Sequence, residues 1–191
     1  LEAVQICTFL PEAQYTPVHY YDLRTAIGDF PDCPQTGCAI YIGRFNMLGP
    51  YKKRMTYRKS RHRLEEDEYN QWMAAPEDLV KREFFTAYSK SGSFSQVSTT
   101  SAASADVLMS ATMTRLEVGP DLQVGLTIAL QLERPGSGQD VLLSRSYAET
   151  EPVVQASAEA FASAASRALE RIILTSLGEI CDRIAATETV E

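Results

Sequence analysis

From Leu122 to Glu133 the chain alternates without a slip. Leu122, Val124, Leu126, Ile128, Leu130 and Leu132 fall on one parity, and Gln123, Gly125, Thr127, Ala129, Gln131 and Glu133 on the other. Side chains of a strand point to opposite faces in turn, so six such steps specify a strand with one buried face. Asp106 to Val118 alternates too, with Val107, Met109, Ala111 and Met113 set against Leu108, Ser110, Thr112 and Thr114. Val141 to Ala148 follows as a third strand, and Gly119-Pro120-Asp121 and Pro135-Gly136-Ser137-Gly138 are the turns between them. Turns this short join antiparallel neighbours, which predicts a meander with one apolar face to cover.

The cover lies downstream. From Val153 to Ala186 an apolar series recurs at three-, four- or five-residue steps: Val154, Ala158, Phe161, Ala165, Leu169, Ile172, Leu177, Ile180 and Ile184. That spacing predicts one long helix, with alanines adding propensity and Gly178 its weak point. The helix is expected across the open sheet face, because the spacing drifts off the strict heptad that a coiled-coil partner needs. Each buried Leu or Ile there contributes about 1.5–3 kcal/mol, so the stripe should dominate stability.

The first half is less periodic. Residues 1–19, with Pro11 and Pro17, read as a flexible lead-in, and residues 20–191 as a single domain long enough for a sizeable core. Tyr20-Tyr21-Asp22-Leu23 predicts a short strand, Gly28 to Gly37 a loop, Cys38 to Phe45 a second strand, and Phe94 to Val97 another short one. The Ser/Thr/Ala stretch at 98–105 is a polar connection. Pro76 suits a first helical turn, where Glu77 and Asp78 favour the dipole. Val80, Phe84, Ala87 and Tyr88 share a face, and Gly92 is the expected stop. A helix of about four turns therefore starts just past Trp72, the only tryptophan. Core packing is the favoured role for its ring, against that of a ligand platform. The expected class is α+β: an antiparallel sheet that includes the C-terminal three-strand meander, packed against one medium helix and one long C-terminal helix.

Charge narrows the functions. The formal net charge of −7 argues against wrapping nucleic acid. Seven of the 18 basic residues nevertheless fall between 52 and 63: Lys52, Lys53, Arg54, Arg58, Lys59, Arg61 and Arg63. Glu65-Glu66-Asp67-Glu68 follows and can neutralise them locally. The segment reads either as an exposed hairpin bearing both signs or as an anion- or partner-binding surface, with Tyr57 and Tyr69 as its aromatics. No apolar run reaches the ~18 residues that span a bilayer. The sequence opens at Leu1 with neither a methionine nor a charged-then-apolar leader, so an upstream segment such as a signal peptide is expected to have been removed.

Chemistry is not signalled. No nucleophile elbow, zinc-protease, phosphate-loop or dinucleotide fingerprint occurs, and neither an enzyme nor a cofactor is expected. Cys33 and Cys38 flank a turn and either close a small loop disulfide in an oxidising compartment or stay as two thiols. Their spacing is wrong for zinc, and His19 and His62 lie far from them, so no metal is expected.

Four features together resemble a known family, the auxiliary lipoproteins of ABC-type lipid transport systems, PqiC/YmbA-like intermembrane transport lipoproteins among them. These are the Tyr20-Tyr21-Asp22-Leu23 strand after a loose lead-in; Tyr69-x-x-Trp72 before a Pro-started helix; Ser91-Gly92-Ser93-Phe94-Ser95-Gln96-Val97 at that helix's end; and a long-strand meander followed by a C-terminal helix. The match runs from Tyr20 to nearly the end. It departs at Gln71, where the family usually has Arg, and in the Ala74-Ala75 spacing to Pro76. The family's lipidated cysteine precedes the tyrosine strand; Cys7 stands at a tolerable distance, but Ala3-Val4-Gln5-Ile6 is a poor lipobox, so the anchor is expected upstream. The resemblance implies a non-catalytic, periplasm-facing lipoprotein, anchored to the outer membrane of a Gram-negative cell. Its implied partners are an MCE-domain substrate-binding protein, a permease and an ATPase, with no nucleic acid. A lipid- or small-apolar-ligand-binding module is the alternative, and a nucleic-acid binder through 52–63 a weaker one.

Overall fold

Three long strands form the meander: β6 (Val107–Val118), β7 (Gln123–Arg134) and β8 (Asp140–Pro152). All are antiparallel, with Val118 opposite Val124 and Arg134 opposite Asp140. Five further strands complete an eight-stranded sheet: β1 (His19–Tyr21), β2 (Ala39–Met47), β3 (Arg54–Ser60), β4 (Arg63–Trp72) and β5 (Gln96–Ser98). The helices are α1 (Pro76–Ser91) and α2 (Ala158–Glu188). This computed structural model describes residues 16–33, 35–136 and 140–188. Cys7 and most of the expected lead-in lie outside the described residues.

The α+β class and the meander stand, but the sheet is mixed rather than antiparallel. β2 runs parallel to both β5 and β6, β1 parallel to β4, and β3 meets β6 in parallel at one register pair, Tyr57 with Val118. Alternation fixes which face a residue takes, not which strand lies beside it, and the connection through α1 sets β5 parallel to β2. One edge of β6 is consequently shared: β2 pairs along 107–113 and β3 only at 118.

The apolar parity of the meander faces α2. Val107, Met109, Ala111, Met113, Val124, Leu126, Ile128, Leu130 and Leu132 are all buried, as are Phe161, Leu169, Ile172, Leu177, Ile180 and Ile184 of the helix stripe. α2 starts later than expected, at Ala158, because the Ser157 hydroxyl accepts from the Ala160 N–H at 3.2 Å and caps it. Val154 thus falls outside the helix and is 90% exposed. α1 keeps its expected ends: Pro76 at the start, and Gly92 at φ 70°, a left-handed stop that suits glycine. The Tyr88 and Ser176 hydroxyls lie 3.1 Å apart where the helices meet. β8 is an open sheet edge. Arg171 Nη2 donates to its Thr150 carbonyl at 2.8 Å and Arg167 Nη2 to that of Pro152 at 3.2 Å, blunting part of that edge.

Candidate functional site

The basic segment and the acidic run form the two arms of one hairpin, β3 and β4, with Tyr57 opposite Glu65 and Thr56 opposite Glu66. Part of the charge is matched within it. Arg54 lies 3.7 Å from Glu66, Lys59 3.6 Å from Glu65, and Arg63 pairs closely with Glu65. Among the described residues no ion pair involves Lys52, Lys53 or Arg61, all exposed. Tyr69 is exposed, while Tyr57 is half-buried, its ring edge-on to Phe161 at 5.7 Å. Burial, with Asp67 and Tyr21 nearby, pushes the Tyr57 hydroxyl up to about 12, so it stays neutral at ordinary pH. Trp72 is buried at 1% exposure, edge-on to Phe161 at 5.4 Å: a core residue.

Arg58 belongs to a different structure. It grips Glu117 of β6 with two hydrogen bonds, Nε to Oε1 at 2.5 Å and Nη2 to Oε2 at 2.8 Å. Tyr51 donates its hydroxyl to Oε2 at 2.8 Å, and Arg115 Nε donates to Oε1 at 3.1 Å. The Glu117 side chain is only 1% exposed. Burial alone would raise its pKa, but the hydrogen bonds from Arg58 and Tyr51 more than offset this and hold the carboxyl below its ordinary value. A Cβ at Gly125 would run into the Arg115 guanidinium, so the glycine makes room for it. The arginine clasp on the buried Glu117 carboxylate is structural, and Arg58, part-exposed at the groove, is engaged in it.

Beside the hairpin lies a groove of about 730 Å³. Tyr57, Lys59, Glu65 and Asp67 line one wall; Val118, Pro120, Leu122, Val153 and Ser157 line the other. Leu122 is half-exposed and holds φ 55°, a left-handed conformation that leucine rarely adopts. Asp67 is committed to its own turn, accepting from the N–H groups of Tyr69 and Asn70 at 2.9 Å each. The groove therefore offers an aromatic floor and an apolar wall with a charged rim. Between the sheet and α2, Leu126, Ile128, Leu130, Phe161, Leu169 and Ile173 are all buried. The described residues hold no His, Cys, Asp or Glu group able to bind a metal ion, and no described helix is long and apolar enough to cross a membrane.

The small loop disulfide that Cys33 and Cys38 could have closed is not formed. Cys33 bonds to Cys181 of α2, with Cα atoms 5.9 Å apart and 148 residues between them in sequence. The loop leaves its first strand across the helix, which brings Cys33 to buried Cys181, while Cys38 passes on to the start of β2. Sequence distance hid that partner.

Comparisons with known proteins agree with this architecture. The sequence profile of the ABC-type transport auxiliary lipoprotein component matches residues 51–174, more than half the chain. The chain belongs to that family, a family of transport auxiliary components of the cell envelope rather than a known enzyme family. Protein XCC0632 of Xanthomonas campestris, from the DUF330 family, is similar in fold, with a TM-score of 0.79 at 18% identity over 90% of this chain and 99% of that one. A protein described only as uncharacterized gives 0.72 at 11% identity, over 86% and 99%. The hypothetical protein CT253 of Chlamydia trachomatis gives 0.50 at 10% identity, over 73% and 98%. At these identities the likeness is one of fold. No curated protein matches the chain in sequence.

Proposed function

We propose that this protein is a non-catalytic accessory lipoprotein of an ABC transport system of the MCE type, which moves lipid between envelope membranes. In this reading a single α+β domain from residue 20 onward hangs from a flexible lead-in in the periplasm, anchored to the outer membrane. It docks to the MCE-domain protein, and through it to the permease and ATPase. Membership of the transport auxiliary family is the observation that carries the reading. The Cys33–Cys181 disulfide supports it, since such bonds persist in oxidising compartments such as the periplasm.

The docking element favoured here is the turn of the β3–β4 hairpin. Arg61 and Lys59 are exposed there, and Tyr69 lies on the same arm as the acidic run. Charges at an interface rim govern encounter and register. The full chain should therefore co-purify with the MCE-domain protein of its own transport system, and Lys59→Glu with Arg61→Glu should lower the yield several-fold. An unaltered chain that fails to associate with the MCE-domain protein would overturn the docking reading.

A second reading, a module that binds an apolar ligand itself, is supported by the groove and its positive-φ Leu122. It places an acyl chain in the groove beside the hairpin, not between the sheet and α2. Repeated absence of co-purifying lipid in native mass spectra counts against it.

A further inference from the structure

We propose that one end of the sheet, where β1, the close of β4 and the β2–β3 turn meet, is a membrane-facing surface that rests on anionic phospholipid headgroups. The inference relies on the lipoprotein reading of the family for the tether, but not on the docking partner.

Three strands bring the patch together. Tyr20 pairs with Gln71 and Gln71 with Arg54, which at the ordinary strand spacing puts Tyr20 about 10 Å from Arg54. Trp72 N–H donates to the Lys53 carbonyl at 2.6 Å, and Met73 N–H to that of Tyr21 at 2.8 Å. Two exposed apolar side chains, Tyr20 at 66% and Met73 at 52%, thus sit beside exposed Lys52 and Lys53. Neither lysine has an ion pair among the described residues, and Arg54 has only the 3.7 Å contact with Glu66.

The chemistry favours headgroups over a protein partner. Lysine is depleted from protein interfaces, and the apolar residues are single side chains rather than a continuous patch. A bilayer surface accepts both: tyrosine sits well at the headgroup level, while lysines meet phosphates. The place of entry fits as well. The polypeptide before His19 joins the fold beside Tyr20, so a lipid anchor on that stretch draws this end toward the bilayer. An anchor and a basic patch are two signals, which together hold a protein where one gives marginal attachment.

The test is sedimentation of the purified, non-acylated full chain with vesicles of phosphatidylglycerol and phosphatidylethanolamine, and with vesicles of phosphatidylcholine alone. Binding is expected only to the anionic vesicles, falling with added salt. Lys52→Glu with Lys53→Glu should reduce it by roughly twenty-fold or more, each basic residue near an anionic surface being worth about a factor of five. Tyr20→Ser with Met73→Ser should reduce it several-fold while leaving the salt dependence in place. All four positions are exposed, so circular dichroism should show an unchanged fold. Equal partition to both vesicle types, no partition, or full binding by the lysine variant would overturn the proposal. So would a lysine variant that keeps vesicle binding but no longer co-purifies with the MCE-domain protein, which would make the patch a protein interface. The vesicles contain no transport protein, so failure of the docking reading leaves this result untouched.

Discussion

Glu117 shows what a single residue does here: its carboxylate ties β3, β6 and the β2–β3 turn together through Arg58, Arg115 and Tyr51. Removing one partner from a buried charge cluster is costly because it leaves the others without a counter-charge. Glu117→Gln should destabilise the fold by about 2–4 kcal/mol in urea unfolding, the lower part of that range reflecting the partial exposure of Arg58 and Arg115. A depressed folded pKa contributes stability above the unfolded value, near 4.5, and loses it as pH falls through the folded value. The gap between the parent and Glu117→Gln should therefore be full at pH 7 and shrink in acid below about pH 4.5. A constant gap across that range would remove the charge from the explanation. The sequence carries a sign of this site. Apolar parity runs through Val107, Met109, Ala111 and Met113, then passes to Leu116 and Val118, and the register shifts between Met113 and Arg115. A parity switch marks a bulge, and Arg115 and Glu117 are the residues it turns to the opposite face.

Elements with a strong period were legible, and so were the meander's pairing and its cover by α2; partners remote in sequence were not. The meander and both helices follow from alternation and from 3.6-residue spacing, since each presents one face to the core. β4 had no such period: Glu65 and Glu66 read as a charge run because their order comes from bases on the next strand. The parallel neighbours of β2 and the Cys181 partner of Cys33 depend on contacts remote in sequence, which no local pattern encodes. The groove was equally hidden, because Tyr57 of β3, Leu122 of the β6–β7 turn and Val153 after β8 come from three separate parts of the chain. That disulfide is the one covalent tie between the loop before β2 and α2. Closing so long a chain limits the unfolded ensemble, and loss of such a bond typically costs about 2–5 kcal/mol. Cys33→Ser and Cys181→Ser should each lower the urea midpoint by similar amounts, and the double variant should lower it no further than the larger single. A fully additive double variant would show that the thiols act by packing, not by their bond.

The whole molecule is built from two unequal parts of one sheet. β6, β7 and β8 share long ladders, whereas the β1–β4–β3 flank meets β6 at a single register pair. That flank is also held by the Glu117 clasp, by Met55 and Trp72 buried in the core, and by the first turn of α2, where Phe161 lies edge-on to both Tyr57 and Trp72. A part joined by so short a ladder opens at lower free energy than the core it leans on. Native-state hydrogen exchange should then show the β3 and β4 amides exchanging through a sub-global opening, while those of β6 and β7 wait for global unfolding. Phe161→Ala removes a buried ring shared by flank and helix, a change worth about 3–5 kcal/mol. Its effect should fall first on the β3 and β4 amides and only later on β7. Uniform exchange across all eight strands in both proteins would mean that the sheet opens as one unit. The groove wall, the hairpin turn and the Lys52–Lys53 patch all ride on this weaker flank. The surfaces proposed to meet a bilayer and a transport protein can therefore adjust without disturbing the meander beneath α2.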